Sequence, residues 1–397
     1  MVVPLLLKPG PVHVPREVLE AGAAPMTHHT APAFQAIFKP LLKNLRPFFG
    51  NDGPILIQSS SARGAMEASL TNLFNPGDAV AVMVNGRFGL RFAGIAQDMG
   101  LVAHPVSPEW RHTASEDAIV DTLTRHPGIK GLIGSMCETG TGVINDLDMV
   151  GRMGKRFGVI TVIDAVSAAA GMPIRMQEQH IDVCFSGIQK CFMCPPGLAL
   201  VAINERVWDT ICASRHYRHY FNWIKMREWI EKPKPQMMGT PPESLIRSLA
   251  CAVSMMHAEG LDNVYARHVL LADAFRAFVH AAGCELAAKD AQYRSNTVSN
   301  MELPAGIKAG DVTKRMLEND NVALATGQDS LKDTSVRMGH MGPVQPDMLL
   351  RGVRSLARSL TELGMDGKLA QSGVAACAGE LARETRAAQM PARAGKL

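Results

Sequence analysis

Val159-Ile160-Thr161-Val162-Ile163 runs straight into Asp164-Ala165-Val166-Ser167, and Asp182-Val183-Cys184-Phe185-Ser186 runs into Gly187-Ile188-Gln189-Lys190. Each is a short, mostly apolar run of the kind that forms a strand covered on both faces. Each ends in one functional group: a carboxylate at the mouth of the first strand and an amine just past the second. Ligands bind at the carboxyl ends of strands in an open parallel sheet. Asp164 and Lys190 are therefore read as the centre of a site.

Similar runs lie on either side: Ile55-Leu56-Ile57, Ala79 to Val84, Leu101 to Val106, Gly131 to Met136 and Leu198 to Ile203. Helical stretches separate most of them. The pattern predicts an α/β fold with a seven-stranded, mostly parallel sheet and helices on both faces. The Leu198 run follows the Lys190 segment after only Pro195-Pro196-Gly197, too short for a helical crossover, so that strand is predicted antiparallel.

Beyond Ile203 the texture changes. Trp208 to Ile230 is aromatic and basic, Lys232-Pro233-Lys234-Pro235 breaks the chain, and a helix from Glu243 to Ala258 stops at Gly260. A long helix near Asp347 to Leu363 and an Ala- and Arg-rich stretch from Ala375 to Lys396 follow. The expected division is an N-terminal arm (1–20), a large domain (21–259) and a smaller C-terminal α/β domain (260–397).

Composition narrows the function. The 397 residues are 47% hydrophobic and carry a formal charge of +4, with no basic run interleaved with aromatics, so nucleic acid is not an expected partner. No segment has the charge-free length of a membrane span, and Val2 to Leu7 is too soon broken by Pro9-Gly10-Pro11 for a signal peptide. Eight cysteines in a chain this long suit a reducing cytoplasm rather than a disulfide scaffold. Cys191-Phe192-Met193-Cys194 lacks a second pair at finger spacing, and no metal site is expected.

An amine and a carboxylate at neighbouring strand ends are what pyridoxal phosphate needs. The lysine holds the cofactor aldehyde as a Schiff base, and the aspartate keeps the pyridine nitrogen protonated. Gln58-Ser59-Ser60-Ser61-Ala62-Arg63-Gly64 leads from a strand into a helix, offering free N–H groups and a positive dipole end to an anion. The segment is neither a Walker loop nor a Gly-x-Gly-x-x-Gly turn, which argues against an NTPase or a nicotinamide enzyme. Asn85-Gly86-Arg87-Phe88-Gly89 offers an aromatic ring between glycines. Cys137-Glu138-Thr139-Gly140-Thr141-Gly142 places hydroxyls after the fourth strand. Four loops thus converge on one crevice.

These segments, in this order, resemble the class V aminotransferases of the fold-type I pyridoxal phosphate superfamily, close to the serine/alanine–glyoxylate group. The matching stretches are Lys8-Pro9-Gly10-Pro11, Ser61 to Ala68, Asn85 to Gly89, Glu138 to Gly142, Asp164 to Ser167, Gly187 to Lys190 and Arg337-Met338-Gly339-His340-Met341-Gly342. The resemblance implies that Lys190 is the Schiff-base lysine and proton carrier and that Asp164 pairs with the pyridine nitrogen. It implies that Phe88 stacks on the ring, that Thr139 reaches the ring hydroxyl, and that Ser61, Ala62, Arg63 and Gln189 hold the phosphate. Thr240 would reach the phosphate of a neighbouring subunit, placing the site at a homodimer interface. Arg337 would bind the substrate carboxylate, with Gly10 and His29 nearby.

The chain departs from close relatives at Thr30, where they usually carry arginine, at Arg63, at Met237-Met238-Gly239 and at Ile188. The reaction implied is amino transfer from serine or alanine to glyoxylate or pyruvate. Alternatives are a ureidoglycine–glyoxylate or pyridoxamine–pyruvate aminotransferase. A cysteine desulfurase would need Cys284 or Cys377 as nucleophile, and a cofactor-free paralogue would be a binding subunit.

Overall fold

The computed structural model describes residues 3–106 and 110–389; the end of the Ala- and Arg-rich stretch, 390–397, lies outside them. The chain opens with β1 (Leu5–Leu6), α1 (Arg16–Gly22) and α2 (Pro32–Asn44). Alternating units follow: β2 (Ile55–Gln58), α3 (Ala62–Leu73), β3 (Ala79–Met83), α4 (Arg87–Asp98), β4 (Val102–Val106), α5 (Glu116–Arg125) and β5 (Ile129–Ser135). A hairpin of two-residue strands, β6 (Cys137–Glu138) with β7 (Val143–Ile144), precedes α6 (Leu147–Phe157), β8 (Ile160–Asp164), β9 (Val183–Gly187) and β10 (Ala199–Ile203). Then come α7 (Trp208–Ala213), α8 (Trp223–Ile230), α9 (Glu243–Glu259) and α10 (Leu261–Ala281). The remainder is β11 (Val298–Glu302), α11 (Ala309–Asp320), β12 (Val322–Ala323), β13 (Ala325–Thr326), β14 (Ser335–Gly339), α12 (Pro346–Glu362) and α13 (Gly367–Gln389).

The main sheet has seven strands in the order β2-β10-β9-β8-β5-β3-β4. Only β10 is antiparallel, to both β2 and β9, as the short connection before it requires. The other six strands therefore run the same way, and their carboxyl ends share one edge.

Side chains alternate between two cores along each central strand. Ile163, Cys184 and Leu200 point into one with Phe48 and Ile246, while Val162, Phe185 and Val201 point into the other with Leu56 and Phe92. That two-sided burial explains why the sequence runs are continuously apolar rather than alternating. Edge strand β4 is the exception, with Val102 largely exposed.

The helix feeding β8 is fixed at both ends. Asp146 accepts hydrogen bonds from the backbone N–H of Asp148 and Met149, a cap contributing about 1 kcal/mol. Gly158, at φ +65°, ends α6 in the left-handed conformation and turns the chain into β8.

A third core gathers Leu271, Phe275, Met301, Val336, Met338 and Leu356 around the sheet β11-β14-β13. The N-terminal arm belongs with it: β1 pairs in parallel with β12, and Leu7 is fully buried in this core. Helix α10 spans the junction, with Val264 packed in the first core and Leu271 in the third.

Candidate active site

The shared edge of the six parallel strands carries a cavity. Asp164 ends β8, beside Phe185 of β9, and Lys190 follows β9 by three residues. Both line this cavity, together with Gln189 and Gly10. Ser61, Ala62 and Arg63 reach it from the start of α3, Phe88 from the start of α4 and Thr139 from the turn between β6 and β7.

Asp164 is 4% exposed. Its Oδ1 accepts from Val166 N–H at 2.8 Å and its Oδ2 from Ser135 Oγ at 3.4 Å. Burial nevertheless pushes its pKa up to about 6, so a cation placed against it would be strongly favoured. Lys190 donates from Nζ to the carbonyl of Pro9. Burial drives its pKa down to about 8, which leaves a neutral, nucleophilic amine accessible near physiological pH.

The start of α3 carries no side-chain cap. Ser61 occupies the N-cap position with extended backbone and makes no side-chain cap bond. Ser60 Oγ is buried with no hydrogen-bond partner among the described residues. On the other side, Thr139 Oγ1 and Ser167 Oγ share a 2.6 Å hydrogen bond at the cavity wall.

The model of the aminotransferase class-V family matches residues 8–358. The chain belongs to the class-V aminotransferases. It is 31% identical over 390 residues to the L-aspartate–glyoxylate aminotransferase of Paracoccus denitrificans, covering 97% of this chain and 98% of that protein. It is also 31% identical over 383 residues to the serine–glyoxylate aminotransferase of Hyphomicrobium methylovorum, covering 95% and 94%. The crystal structure of pyridoxamine–pyruvate aminotransferase from Mesorhizobium loti superposes with a TM-score of 0.90 at 25% identity, over 96% of this chain and 98% of that one.

Class-V aminotransferases use pyridoxal phosphate, and the cavity fits it. The uncapped start of α3, with Ser61, Ala62 and Arg63 in the cavity lining, suits the phosphate. The desolvated Asp164 suits a protonated ring nitrogen, and the depressed amine of Lys190 suits the aldehyde.

Three residues expected at this aminotransferase site do not line the cavity. Arg337 lies just behind it in β14, donating from Nε to Thr326 O at 2.9 Å and from an Nη to Thr139 O at 3.4 Å. Burial, with Arg87 nearby, pulls its pKa down to about 10. Thr240 is exposed on the loop before α9, and His29 stacks on His28 at 4.3 Å between ring centroids. Of the desulfurase candidates, Cys284 and Cys377 are both packed in the third core, away from Lys190.

The sequence reading missed Arg91, Cys137, Met66, Val166 and Ser167 in the lining. Arg91 had one available signal, its place one helical turn beyond Arg87-Phe88, which puts it on the same face of α4. Its guanidinium sits 4.9 Å from the Phe88 ring centroid. Among the described residues no group of three or more His, Cys, Asp or Glu could hold a metal ion, and no helix is long and apolar enough to cross a membrane.

Proposed function

We propose that this class-V aminotransferase moves an amino group from a small amino acid, serine or alanine, to glyoxylate or pyruvate in two alternating half-reactions. The observation that carries the reading is the meeting of Lys190 and Asp164 in one cavity beside the open start of α3. The two curated relatives described above take glyoxylate, as their names state, which supports a small oxo acid as acceptor.

Bound pyridoxal phosphate supplies an electron sink that makes the substrate Cα–H acidic. The chain supplies the rest. Asp164 holds a proton on the ring nitrogen, stabilised by the charge pair it forms there. Lys190, with its pKa lowered to about 8, takes and returns the proton at the substrate Cα. Phe88 gives the ring a flat apolar face, and Thr139 reaches its hydroxyl. Ser61, Ala62, Arg63 and Gln189 hold the phosphate. Arg337 receives the α-carboxylate on its planar fork, while Gly10 keeps the backbone close enough to shut water away from Lys190.

The same reading makes the protein a cytoplasmic homodimer. All eight cysteines are free, which supports a reducing compartment. Thr240 and His29 stand outside their own cavity, which supports roles toward a neighbouring subunit. The separate third core supports a smaller C-terminal domain from about Gly260 onward, with the arm docked on it.

A panel of amino donors against glyoxylate and pyruvate, scored by kcat/KM, tests the substrate assignment. Serine or alanine with glyoxylate should rank first. If pyridoxamine outranks them, the enzyme is a vitamer-converting aminotransferase instead.

A further inference from the structure

Glu138 is a fully buried carboxylate that does not line the cavity. Its Oε2 accepts from the N–H of Phe88 at 2.8 Å and of Gly89 at 3.3 Å, and its Oε1 from the N–H of Gly140 at 3.2 Å. Phe88 and Gly89 are the second and third residues of α4, whose N-cap is Gly86 and which has no side-chain cap of its own. A serine or aspartate at the N-cap ordinarily satisfies those two groups. Here a carboxylate from fifty residues further on does so, with its charge at the positive end of the helix.

Sheet order makes this possible. Strands β3 and β5 are neighbours, so the turn into α4 and the hairpin after β5 emerge side by side. Gly86 admits the carboxylate: a β-carbon there would lie 2.3 Å from Glu138 Cγ and 2.4 Å from Cδ. The backbone of Gly86 is extended at φ 168°, so glycine is needed there for room rather than for conformation.

Resting on the functional reading above, we infer that Glu138 is a positioning residue for the bound cofactor: it clamps the Phe88 turn to the loop that carries Thr139. Three cavity features depend on that one carboxylate. Phe88 is held by its own N–H, Cys137 and Thr139 flank Glu138 in sequence, and Arg91 rests on the Phe88 ring. The Thr139 carbonyl in turn receives Arg337, so the clamp extends to the carboxylate-binding side.

Glu138→Gln and Glu138→Ala distinguish the clamp from plain packing. A glutamine keeps one acceptor oxygen and turns an NH₂ toward the remaining N–H, whereas alanine leaves all three donors unpaired. In the full-length apoprotein, amide hydrogen exchange of residues 86–90 should quicken modestly in Glu138→Gln and strongly in Glu138→Ala. The dissociation constant for pyridoxal phosphate, read from visible absorbance, should rise about tenfold and about a hundredfold respectively. The visible circular dichroism of the bound cofactor should weaken in the same order. Gly86→Ala, which keeps the carboxylate but displaces it, should reproduce the effect and serves as the deciding variant if Glu138→Ala does not fold. Folded Glu138→Gln and Gly86→Ala proteins with wild-type exchange and wild-type cofactor affinity would overturn the inference. If the wild-type protein itself does not bind pyridoxal phosphate, the functional reading falls with the inference about the cofactor. Exchange at Phe88 and Gly89 then reports on the clamp alone.

Discussion

Gly10 and Lys190 lie so close that a β-carbon on the glycine would come within 2.5 Å of the lysine Cδ and 2.9 Å of its Nζ. The glycine stands at φ +94°, and the carbonyl of Pro9 just before it accepts a hydrogen bond from the lysine amine. The N-terminal arm therefore forms the roof over the reactive nitrogen. Gly10→Ala is doubly unfavourable, straining the backbone and forcing the lysine aside. The expected result is a fall in kcat/KM of about a hundredfold or more with only about 1–2 kcal/mol lost from folding stability. Steady-state kinetics beside a urea denaturation curve would show it, and near wild-type turnover would remove the arm from the active site.

Lys190→Ala should abolish the visible absorbance band that the lysine–cofactor linkage produces and lower turnover by about a thousandfold or more. The same variant should leave the apoprotein folded, since burial already disfavours the ammonium and lowers its pKa to about 8. An absorbance spectrum after adding pyridoxal phosphate decides the matter. A surviving band would point to another lysine.

The residues read most readily from sequence were those whose surroundings are local. Strands β8 and β9 are buried on both faces, so their sequences are unbroken apolar runs, and Asp164 and Lys190 stand out where those runs end. The same holds for the antiparallel β10, fixed by a connection too short for a helix. The hairpin β6/β7 gave no signal, because two-residue strands have no periodicity to detect. Glu138 was visible only as part of a loop. Its partners Phe88 and Gly89 are fifty residues away, and only the adjacency of β3 and β5 brings them together. The nearness of Gly10 to Lys190 is likewise a product of the tertiary fold, because the arm that carries Gly10 is docked on the third core through β1 and Leu7.

Arg337→Lys should separate substrate binding from chemistry. The guanidinium is held by Thr326 O and Thr139 O, a geometry that a single ammonium cannot reproduce. KM for the amino donor is expected to rise about tenfold to a hundredfold while kcat changes much less, because under the proposed function the group holds the α-carboxylate. Cofactor affinity should stay near wild type. A variant that instead lost the cofactor would assign Arg337 to the clamp around Thr139 rather than to the substrate.

Asp164→Asn should make the apoprotein more stable at pH 8 while weakening its hold on the cofactor. Burial raises the aspartate pKa from 3.8 in the unfolded chain to about 6 in the folded one. Between those values the folded state binds more protons than the unfolded state, so stability falls as pH rises from about 4 to 6. Above that window the full cost of an ionised, buried carboxylate is in place, at most about 3 kcal/mol for a shift of this size. Asparagine keeps the shape without the charge and removes the cost. Urea denaturation of both apoproteins at pH 4 and pH 8 should therefore show a gap that opens in favour of the variant at the higher pH. Glu138, raised to about 7 chiefly by its own burial and in smaller part by the charge of Asp164, bends the curves of both proteins the same way, somewhat less in the variant, which widens the gap in the same direction. With pyridoxal phosphate bound the order should reverse, because a cation on the ring nitrogen turns the buried charge of Asp164 into an attraction. An equal gap at the two pH values would mean that Asp164 is already neutralised by another group in the folded chain.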